Sequence, residues 1–413
     1  MYDWGNSAFF TTIVATVFPI YFRKVVGGDM GALETTQFFV WTSAAALGCM
    51  AVTSPLLGAL ADYSGNRKRW LAGFLALGVG SVAAMIFVDV GDWMLAAWLF
   101  AGANIGAAGT MVFYDALLPH VAREDEIDRL SMAAYGLGYL GGGLLLAVQL
   151  AFILNPSWIG VDEESTLPTR IVLFSVAVWW LGFSIPLFRD VPEPPRPNNE
   201  DCAAHPIVAG LRRLLQTART IPRHRDAFLM LLAFLIYADG IGTVFRMAAL
   251  FAHELGFEPN VIITALLLTQ FIGVPAAMFF GWLAPRIGPK TAIMSTLVIY
   301  VVACVVGSQM RETWHLFALA GLIALVQGGA QGLSRSLYAS MVPRERSAEF
   351  FGLFAVSDRV AGVAGQLLFG AMIGIAGSTR IAVASVAIFF VVGGVVLSFV
   401  NVENGRRAAR SAD

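Results

Sequence analysis

Long apolar stretches separated by short polar turns dominate the chain. Twelve of them approach or exceed about 20 residues, the length that an α-helix needs to cross the hydrocarbon core of a bilayer. They fall at 6–27, 35–61, 70–90, 92–119, 130–154, 169–189, 226–252, 258–284, 289–309, 313–342, 349–377 and 379–401. We therefore predict an all-α integral membrane protein with twelve transmembrane helices, spans 1 to 12. The first stretch is too long for a signal-peptide core and no cleavage site follows it, which favours a transmembrane helix. The sequence does not decide whether a further segment precedes this N-terminus.

A polar, proline-rich stretch divides the spans into two sets of six. The predicted organisation is a first six-helix bundle at 1–189, a linker at 190–225, a second bundle at 226–402 and a tail at 403–413. In the linker, apolar residues recur at helical spacing from Ile207 and alternate with arginines. This pattern predicts a basic amphipathic helix on the inner leaflet; a regulatory docking site is the alternative.

Composition and charge agree with a membrane protein. The 413 residues are 57% hydrophobic and 13% charged, with a net charge of −1, so no basic field indicates nucleic-acid binding. Nineteen of the 27 lysines and arginines fall on one side of the predicted layout and five on the other. Because basic loops stay in the cytoplasm, both termini are predicted to be cytoplasmic. The three cysteines, two of them in apolar runs, indicate no disulfide framework.

The two halves contain related motifs. The turn after span 2 begins Gly58-Ala-Leu-Ala-Asp62 and continues through Gly65 to the basic cluster Arg67, Lys68 and Arg69. A weaker copy, Gly281-Trp-Leu-Ala-Pro285, follows 223 residues later, with proline in place of the aspartate. Tyr114-Asp-Ala-Leu-Leu-Pro119 is matched by Tyr338-Ala-Ser-Met-Val-Pro343. Two matches at nearly one offset indicate an internal duplication, as in transporters built from two repeats.

Ionisable residues inside spans locate the candidate site, because a charge at the bilayer centre costs at least about 2.5–3.5 kcal/mol. The second half supplies Asp239, Thr243 and Arg246 on one face of span 7, Gln327, Gln331 and Arg335 on span 10, and Asp358 and Arg359 on span 11. Two readings stay open: the polar groups hold helices together, or they line a wet cavity. Arg335 either binds an anionic substrate group or pairs with a carboxylate of another helix.

The first half supplies fewer polar groups. Asn6, Asn104, Tyr135 and Tyr139 are candidates for the cavity wall, although both tyrosines also suit an aromatic belt. Asp3 and Asp115 lie near the inner surface, where gating or interhelix pairing fits them better than substrate contact. Glu349 begins span 11, where the helix dipole stabilises the negative charge of a carboxylate.

Signals for catalysis are weak. The five histidines are scattered near predicted helix ends without metal-ligand spacing, and no glycine loop precedes a Lys-Ser/Thr pair. We predict no metal, no cofactor and no enzymatic activity.

The turn at Gly58 resembles the loop between the second and third helices of major facilitator superfamily transporters, with Asn66 at a position that is usually basic. Within that superfamily, Tyr2-Asp-Trp-Gly-Asn-Ser-Ala8, Tyr237-Ala-Asp-Gly240, Gln331-Gly-Leu-Ser-Arg-Ser336 and Ala348-Glu-Phe-Phe-Gly352 resemble motifs of the vacuolar amino-acid effluxer branch, known in bacteria as unknown major facilitators. The resemblance covers nearly the whole chain. It implies two pseudo-symmetric six-helix bundles, alternating access, and Asp62 facing the cytoplasmic start of span 11.

The resulting expectation is a secondary transporter that exports an amino acid or a related small anionic or zwitterionic metabolite. We predict that Asp239 carries the coupling proton, since a buried carboxyl favours its neutral form. Arg246, Arg335 and Arg359 are expected to hold an anionic substrate group or to neutralise Asp239 and Asp358. Asp62, Arg67, Lys68, Arg69, Asp3, Asp115 and Glu349 are predicted gating residues.

Two further functions are compatible with the same sequence: a lysolipid or lipid flippase, and a non-transporting membrane sensor or scaffold. The expected partners are a small-molecule substrate, a coupling proton and the lipid bilayer, with no nucleic acid. The expected state is a monomer in the bacterial cytoplasmic membrane.

Overall fold

A computed structural model of the chain describes residues 1–27, 32–123, 125–160, 162, 165–194, 224–360 and 363–411. The predicted amphipathic helix of the linker lies outside these residues. Side chains of a further set, including Arg246, Asp358, Arg359 and Gln366, also lie outside the description.

The first half of the chain forms α-helices that match the predicted spans. Span 1 consists of α1 (Tyr2–Ala8) and α2 (Val17–Tyr21), each followed by π-helical turns at Phe9–Thr16 and Phe22–Val26. Spans 2 to 6 are α3 (Ala32–Ser64), α4 (Arg67–Ala84), α5 (Trp93–Val121), α6 (Ile127–Leu154) and α7 (Leu167–Asp190).

The second half repeats this arrangement. Spans 7 to 10 are α8 (Arg225–Glu254), α9 (Pro259–Ile287), α10 (Pro289–Ser308) and α11 (Thr313–Ala339). Span 11 contains α12 (Ser347–Val360) and α13 (Val363–Ala376), on either side of residues 361–362, which lie outside the description, and span 12 contains α14 (Thr379–Ser385) and α15 (Ala387–Ser398). A final helix, α16 (Val402–Arg410), lies in the predicted tail. Among the described residues, ten helical stretches are long and apolar enough to cross a membrane, and Leu367–Ala376 is a shorter apolar helix. The prediction of an all-helical membrane protein is confirmed.

Large apolar side chains on the helix surfaces indicate where lipid surrounds the protein. Trp41, Val52, Trp98 and Ile375 are each at least 72% exposed. A protein with this surface would aggregate in water, whereas in a bilayer the same side chains contact acyl chains. The apolar residues therefore serve two environments, the protein interior and the lipid.

Glycines separate two pairs of consecutive helices at equivalent points of the repeat. Gly65 lies between α3 and α4 with φ of 62°, and Gly288 lies between α9 and α10 with φ of 86°. Positive φ is strained for residues with a Cβ atom, so glycine suits both turns. Pro289 then begins α10, where its missing N–H group costs nothing.

The described chain divides into two compact units. The first holds Met1–Ser54, Asn66–Tyr114 and Leu137–Pro194, and the second holds Pro55–Gly65, Asp115–Gly136 and Pro195–Asp413. Two short segments from the first half of the sequence, 55–65 and 115–136, thus belong to the same unit as α8 to α16. The predicted boundary between two six-helix bundles near residue 190 stays a prediction.

Each unit contains a lysine that binds the C-terminal end of another helix. In the first unit, Lys68 Nζ donates to the carbonyl oxygens of Phe188 and Val191, at 2.9 and 2.5 Å. In the second unit, Lys290 Nζ donates to those of Ser398 and Val400, at 2.7 and 2.8 Å. A cation at a helix C-terminus is favoured by the helix dipole and by the unpaired carbonyls there. The two contacts are alike in kind, although Lys290 aligns with Arg67 rather than with Lys68 at the 223-residue offset that relates Gly58 to Gly281.

Candidate functional site

Asp62 binds the start of α12. The residue is fully buried at the end of α3, and its carboxylate accepts hydrogen bonds from the backbone N–H groups of Ala348 and Glu349, at 3.3 and 2.8 Å. These amides belong to the first turn of α12, where unpaired N–H groups and the helix dipole favour negative charge. Asp62 therefore lies where the resemblance implied.

Gly58 lets α3 approach α12 closely enough for this contact. A Cβ atom on Gly58 would lie 2.0 Å from the carbonyl oxygen of Ala348. Glu349, also fully buried, pairs instead with Arg346, whose Nη2 atom lies 3.0 Å from Oε2. The glycine and aspartate of the Gly58 turn thus act together, one through its small size and the other through its charge.

Arg335 forms a buried ion pair with Asp115. Its Nη1 atom lies 3.1 Å from Asp115 Oδ1, and its side chain is 3% exposed. Nε and Nη2 donate to the hydroxyl and carbonyl oxygens of Ser131, at 3.0 and 3.2 Å, and the guanidinium stacks 4.7 Å from the ring centre of Tyr135. Of the two possibilities that the sequence left open for Arg335, this structure contains the pairing with a carboxylate.

Serine hydroxyls complete the contacts in this region. Ser336 Oγ donates to Asp128 Oδ1 at 2.5 Å, and Ser131 Oγ donates to the carbonyl of Gly332 at 2.7 Å. Ser347 Oγ donates to the carbonyl of Ala116 at 2.9 Å and lies 3.2 Å from His120 Nε2. The contacts of Asp62, Asp115, Asp128, Ser131, Arg335, Ser336 and Ser347 join segments 55–65 and 115–136 to α11 and α12. We name this set the inner contact network.

Asp239 occupies a second buried position, beside Gly365 of α13. It is 5% exposed, and its Oδ2 atom accepts a hydrogen bond from the backbone N–H of Gly365 at 3.0 Å. Thr243, one turn further along α8, donates to the carbonyl of Asp239 at 2.8 Å. A Cβ atom on Gly365 would lie 1.9 Å from Thr243 Oγ1. α8 and α13 therefore touch at a glycine, directly beside the buried carboxylate.

The predicted residues of the first half are packed within the first unit. Asp3 accepts a hydrogen bond from the hydroxyl of Tyr114. Asn6, 3% exposed, donates to Met111 Sδ at 3.1 Å, and Asn104 donates to the carbonyl of Phe100 at 2.8 Å. These contacts fix the three side chains, while their predicted roles in gating or substrate binding stay predictions.

The remaining predicted residues are dispersed. Arg67 is buried, Arg69 is exposed, and Tyr139, Gln327 and Gln331 are partly exposed. The contacts of Lys68 with a helix end give that residue a structural explanation within its own unit. The side chains of Arg246, Asp358 and Arg359 lie outside the described residues.

Sequence reasoning missed several members of the inner contact network. Asp128, Ser336 and Ser347 were not predicted, nor was His120 beside Ser347, although Ser336 belongs to the Gln331–Ser336 motif. Gly365 was also missed, because a glycine in an apolar span carries no signal of what lies opposite. Within the described residues, no group of three or more histidine, cysteine or acidic side chains has the geometry of a metal site.

Comparison with known proteins identifies the family. The model of the family described as "Vacuole effluxer Atg22 like" matches residues 1–410. The chain belongs to this family. An uncharacterized MFS-type transporter, YxiO of Bacillus subtilis (strain 168), is 33% identical over 401 residues, which cover 97% of this chain and 93% of the relative. Autophagy-related protein 22-1 of Phaeosphaeria nodorum is 24% identical over 448 residues, covering 92% of this chain and 78% of the relative.

Solved structures agree on the fold. The proton:xylose symporter XylE bound to 6-bromo-6-deoxy-D-glucose has a TM-score of 0.72 at 14% identity, and the match covers 100% of this chain and 95% of the other. FucP, a major facilitator transporter in the outward conformation, has a TM-score of 0.67 at 15% identity, covering 97% and 98%. This Atg22-like protein has the major facilitator fold, which the sequence predicted. It is a multi-pass membrane transporter of that superfamily, and family and fold point away from an enzyme.

Proposed function

We propose that the protein is a proton-coupled exporter of amino acids or related small anionic or zwitterionic metabolites. Membership of an effluxer family supports the direction of transport. The burial of Asp239 in the seventh span supports the coupling and is the observation on which this proposal depends. A carboxylate at this depth is costly unless it has a function or a partner.

The contact between Asp239 and Gly365 provides a route from proton binding to helix movement. An ionised carboxylate accepts a charge-assisted hydrogen bond from the amide, which is shorter and stronger than a bond to a neutral group. Protonation weakens this bond, because the group then no longer carries a negative charge. In the proposal, proton uptake therefore releases α13 from α8, and proton loss restores the contact.

The inner contact network is proposed to be the gate on the cytoplasmic side. Its hydrogen bonds and the Asp115–Arg335 pair hold the end of α3 against α12 and the end of α5 against α11 and α12. Alternating access requires these contacts to break as the opposite side closes. We assign Arg335 to this gate in the present state. The other residues predicted for the substrate and the coupling ion keep that proposed role: Asn6, Asn104, Tyr135, Tyr139, Thr243, Arg246, Gln327, Gln331, Asp358 and Arg359.

Transport by proteoliposomes tests the proposal. Liposomes that contain the purified protein are loaded with a mixture of labelled amino acids, and efflux is measured with and without an imposed pH gradient. We expect the pH gradient to accelerate efflux by the wild type, while efflux through Asp239→Asn proceeds at a rate that the gradient does not change. Acceleration of efflux by the gradient in Asp239→Asn equal to that in the wild type would remove this residue from coupling.

A further inference from the structure

A groove lies between the start of α6 and the end of α9. It has a volume of about 300 Å³ and is lined by Arg129, Met132 and Ala133 from α6 and by Met278, Gly281, Trp282, Pro285 and Arg286 from α9. Small-molecule sites begin at about this volume. The groove therefore has room for a ligand group, and its lining combines two cations with apolar side chains.

The internal repeat shows that the groove occupies the place of a missing carboxylate. Gly281 is the counterpart of Gly58: the Cβ position of Gly58 lies 3.1 Å from the Cα atom of Glu349, and that of Gly281 lies 3.9 Å from the Cα atom of Arg129. The corresponding residue to Asp62 is Pro285, 223 positions later. The first copy closes its contact with a buried aspartate, and the second leaves a cavity there.

The charges in the groove are positive. Arg286 is held at the end of its helix, stacked 3.9 Å from the ring centre of Trp282 and donating to the Trp282 carbonyl at 2.5 Å. In the described part of the chain, no acidic side chain forms a salt bridge with Arg129 or Arg286. The neighbouring acid, Asp128, is buried and accepts a hydrogen bond from Ser336. An anion would complement this site.

The apolar lining faces lipid. Met278 and Trp282 are 60% and 52% exposed on the apolar stretch Thr264–Ile287. Arg286 lies at the end of that stretch, at the level where basic side chains reach lipid headgroups. A ligand of this groove therefore meets cations at one end and an acyl-chain environment at the other.

We propose that the groove binds an anionic phospholipid. Its phosphate lies between the guanidinium groups of Arg129 and Arg286, and an acyl chain follows Met278 and Trp282. The lipid supplies from the bilayer the negative charge that Asp62 supplies within the chain. Occupancy ties the start of α6 to the end of α9 and stabilises this part of the second unit.

Lipid titration of the purified full chain in detergent tests the site. The probes are dioctanoyl phosphatidylglycerol, dioctanoyl phosphatidylcholine and inorganic phosphate, with bound lipids counted by native mass spectrometry and the melting temperature recorded. We expect the wild type to prefer phosphatidylglycerol over phosphatidylcholine. Arg129→Gln/Arg286→Gln is expected to bind phosphatidylglycerol about tenfold more weakly, since each arginine near a lipid phosphate strengthens the binding of an anionic lipid. The matched double variant Arg123→Gln/Arg225→Gln removes the same charge outside the groove and is expected to bind as the wild type does.

A third variant introduces into the second copy of the repeat the carboxylate that the first copy has. Pro285→Asp places a carboxylate where Asp62 stands in the first copy, so it is expected to lower phosphatidylglycerol affinity and to raise the melting temperature without lipid. Equal phosphatidylglycerol affinity in both double variants, or no loss in Pro285→Asp, would overturn the proposal. Binding of phosphatidylcholine as strongly as phosphatidylglycerol would show a general lipid contact, and displacement of the lipid by equimolar inorganic phosphate would show a soluble-anion site. Both of these results would also overturn it.

Discussion

At the scale of single residues, this transporter uses buried carboxylates to hold backbone amides of other helices. Asp62 accepts from the first-turn amides of α12, and Asp239 accepts from the amide of Gly365 in α13. Both acids are buried, so their charge interacts with the amides in a low-dielectric environment that strengthens it. The α12 and α13 parts of the eleventh span are thus each held by an aspartate from another helix.

Substitution of Gly365 tests the contact beside Asp239. Gly365→Ala places a Cβ atom 1.9 Å from Thr243 Oγ1, and overpacking of this kind costs about 1–3 kcal/mol. We expect a lower melting temperature and slower transport. Gly370→Ala on the same helix is the control, because nothing lies within 4 Å of its Cβ position. Thr243→Ala added to Gly365→Ala is expected to restore part of the loss. Equal behaviour of Gly365→Ala and Gly370→Ala would contradict the close contact.

Neutralisation of Asp62 tests the first-turn contact of α12. Asp62→Asn removes a charge that favours the helix start by about 1 kcal/mol, so amide hydrogen exchange in residues 347–352 should accelerate roughly fivefold. Asp226→Asn is the matched control, because Asp226 also accepts from a backbone amide, that of Asn401 at 2.8 Å, at a different helix start. Unchanged exchange in residues 347–352 would show that Asp62 does not hold this helix.

At the scale of elements, the sequence was most informative about helices and least about contacts between them. The length of the apolar runs and the positions of Gly65 and Gly288 predicted where helices begin and end, because bilayer thickness and backbone sterics act locally. The pairing of Arg335 with Asp115 was one of two open possibilities, because partner choice depends on packing over more than 200 residues of chain.

The lysine at a helix end provides an element-scale prediction. Lys290→Met removes two charge-assisted hydrogen bonds to the C-terminal end of α15, which contribute about 1–3 kcal/mol together. We expect the melting temperature to fall, and Lys68→Met to have a similar effect through its contact with the C-terminal end of α7. Arg225→Gln is the control for the loss of one exposed positive charge. An effect no larger than that of the control would show that these contacts contribute little.

At the scale of the whole molecule, the repeat explains both what the halves share and where they differ. The glycine turns recur in both halves, whereas the aspartate of the first turn is replaced by Pro285 in the second. Fold class and family could be predicted from the sequence, because hydropathy and short motifs carry them. The substrate contacts could not be located in the same way, since they depend on side chains from distant helices that converge only after folding.

A disulfide across the inner contact network tests most directly whether that network opens during transport. Ala116→Cys and Ser347→Cys are introduced after replacing Cys49, Cys202 and Cys304 with serine, because the Ser347 hydroxyl lies 2.9 Å from the Ala116 carbonyl. We predict that oxidation blocks transport in proteoliposomes and that reduction restores it, while either single cysteine is unaffected. Undiminished transport by quantitatively cross-linked protein would contradict the account.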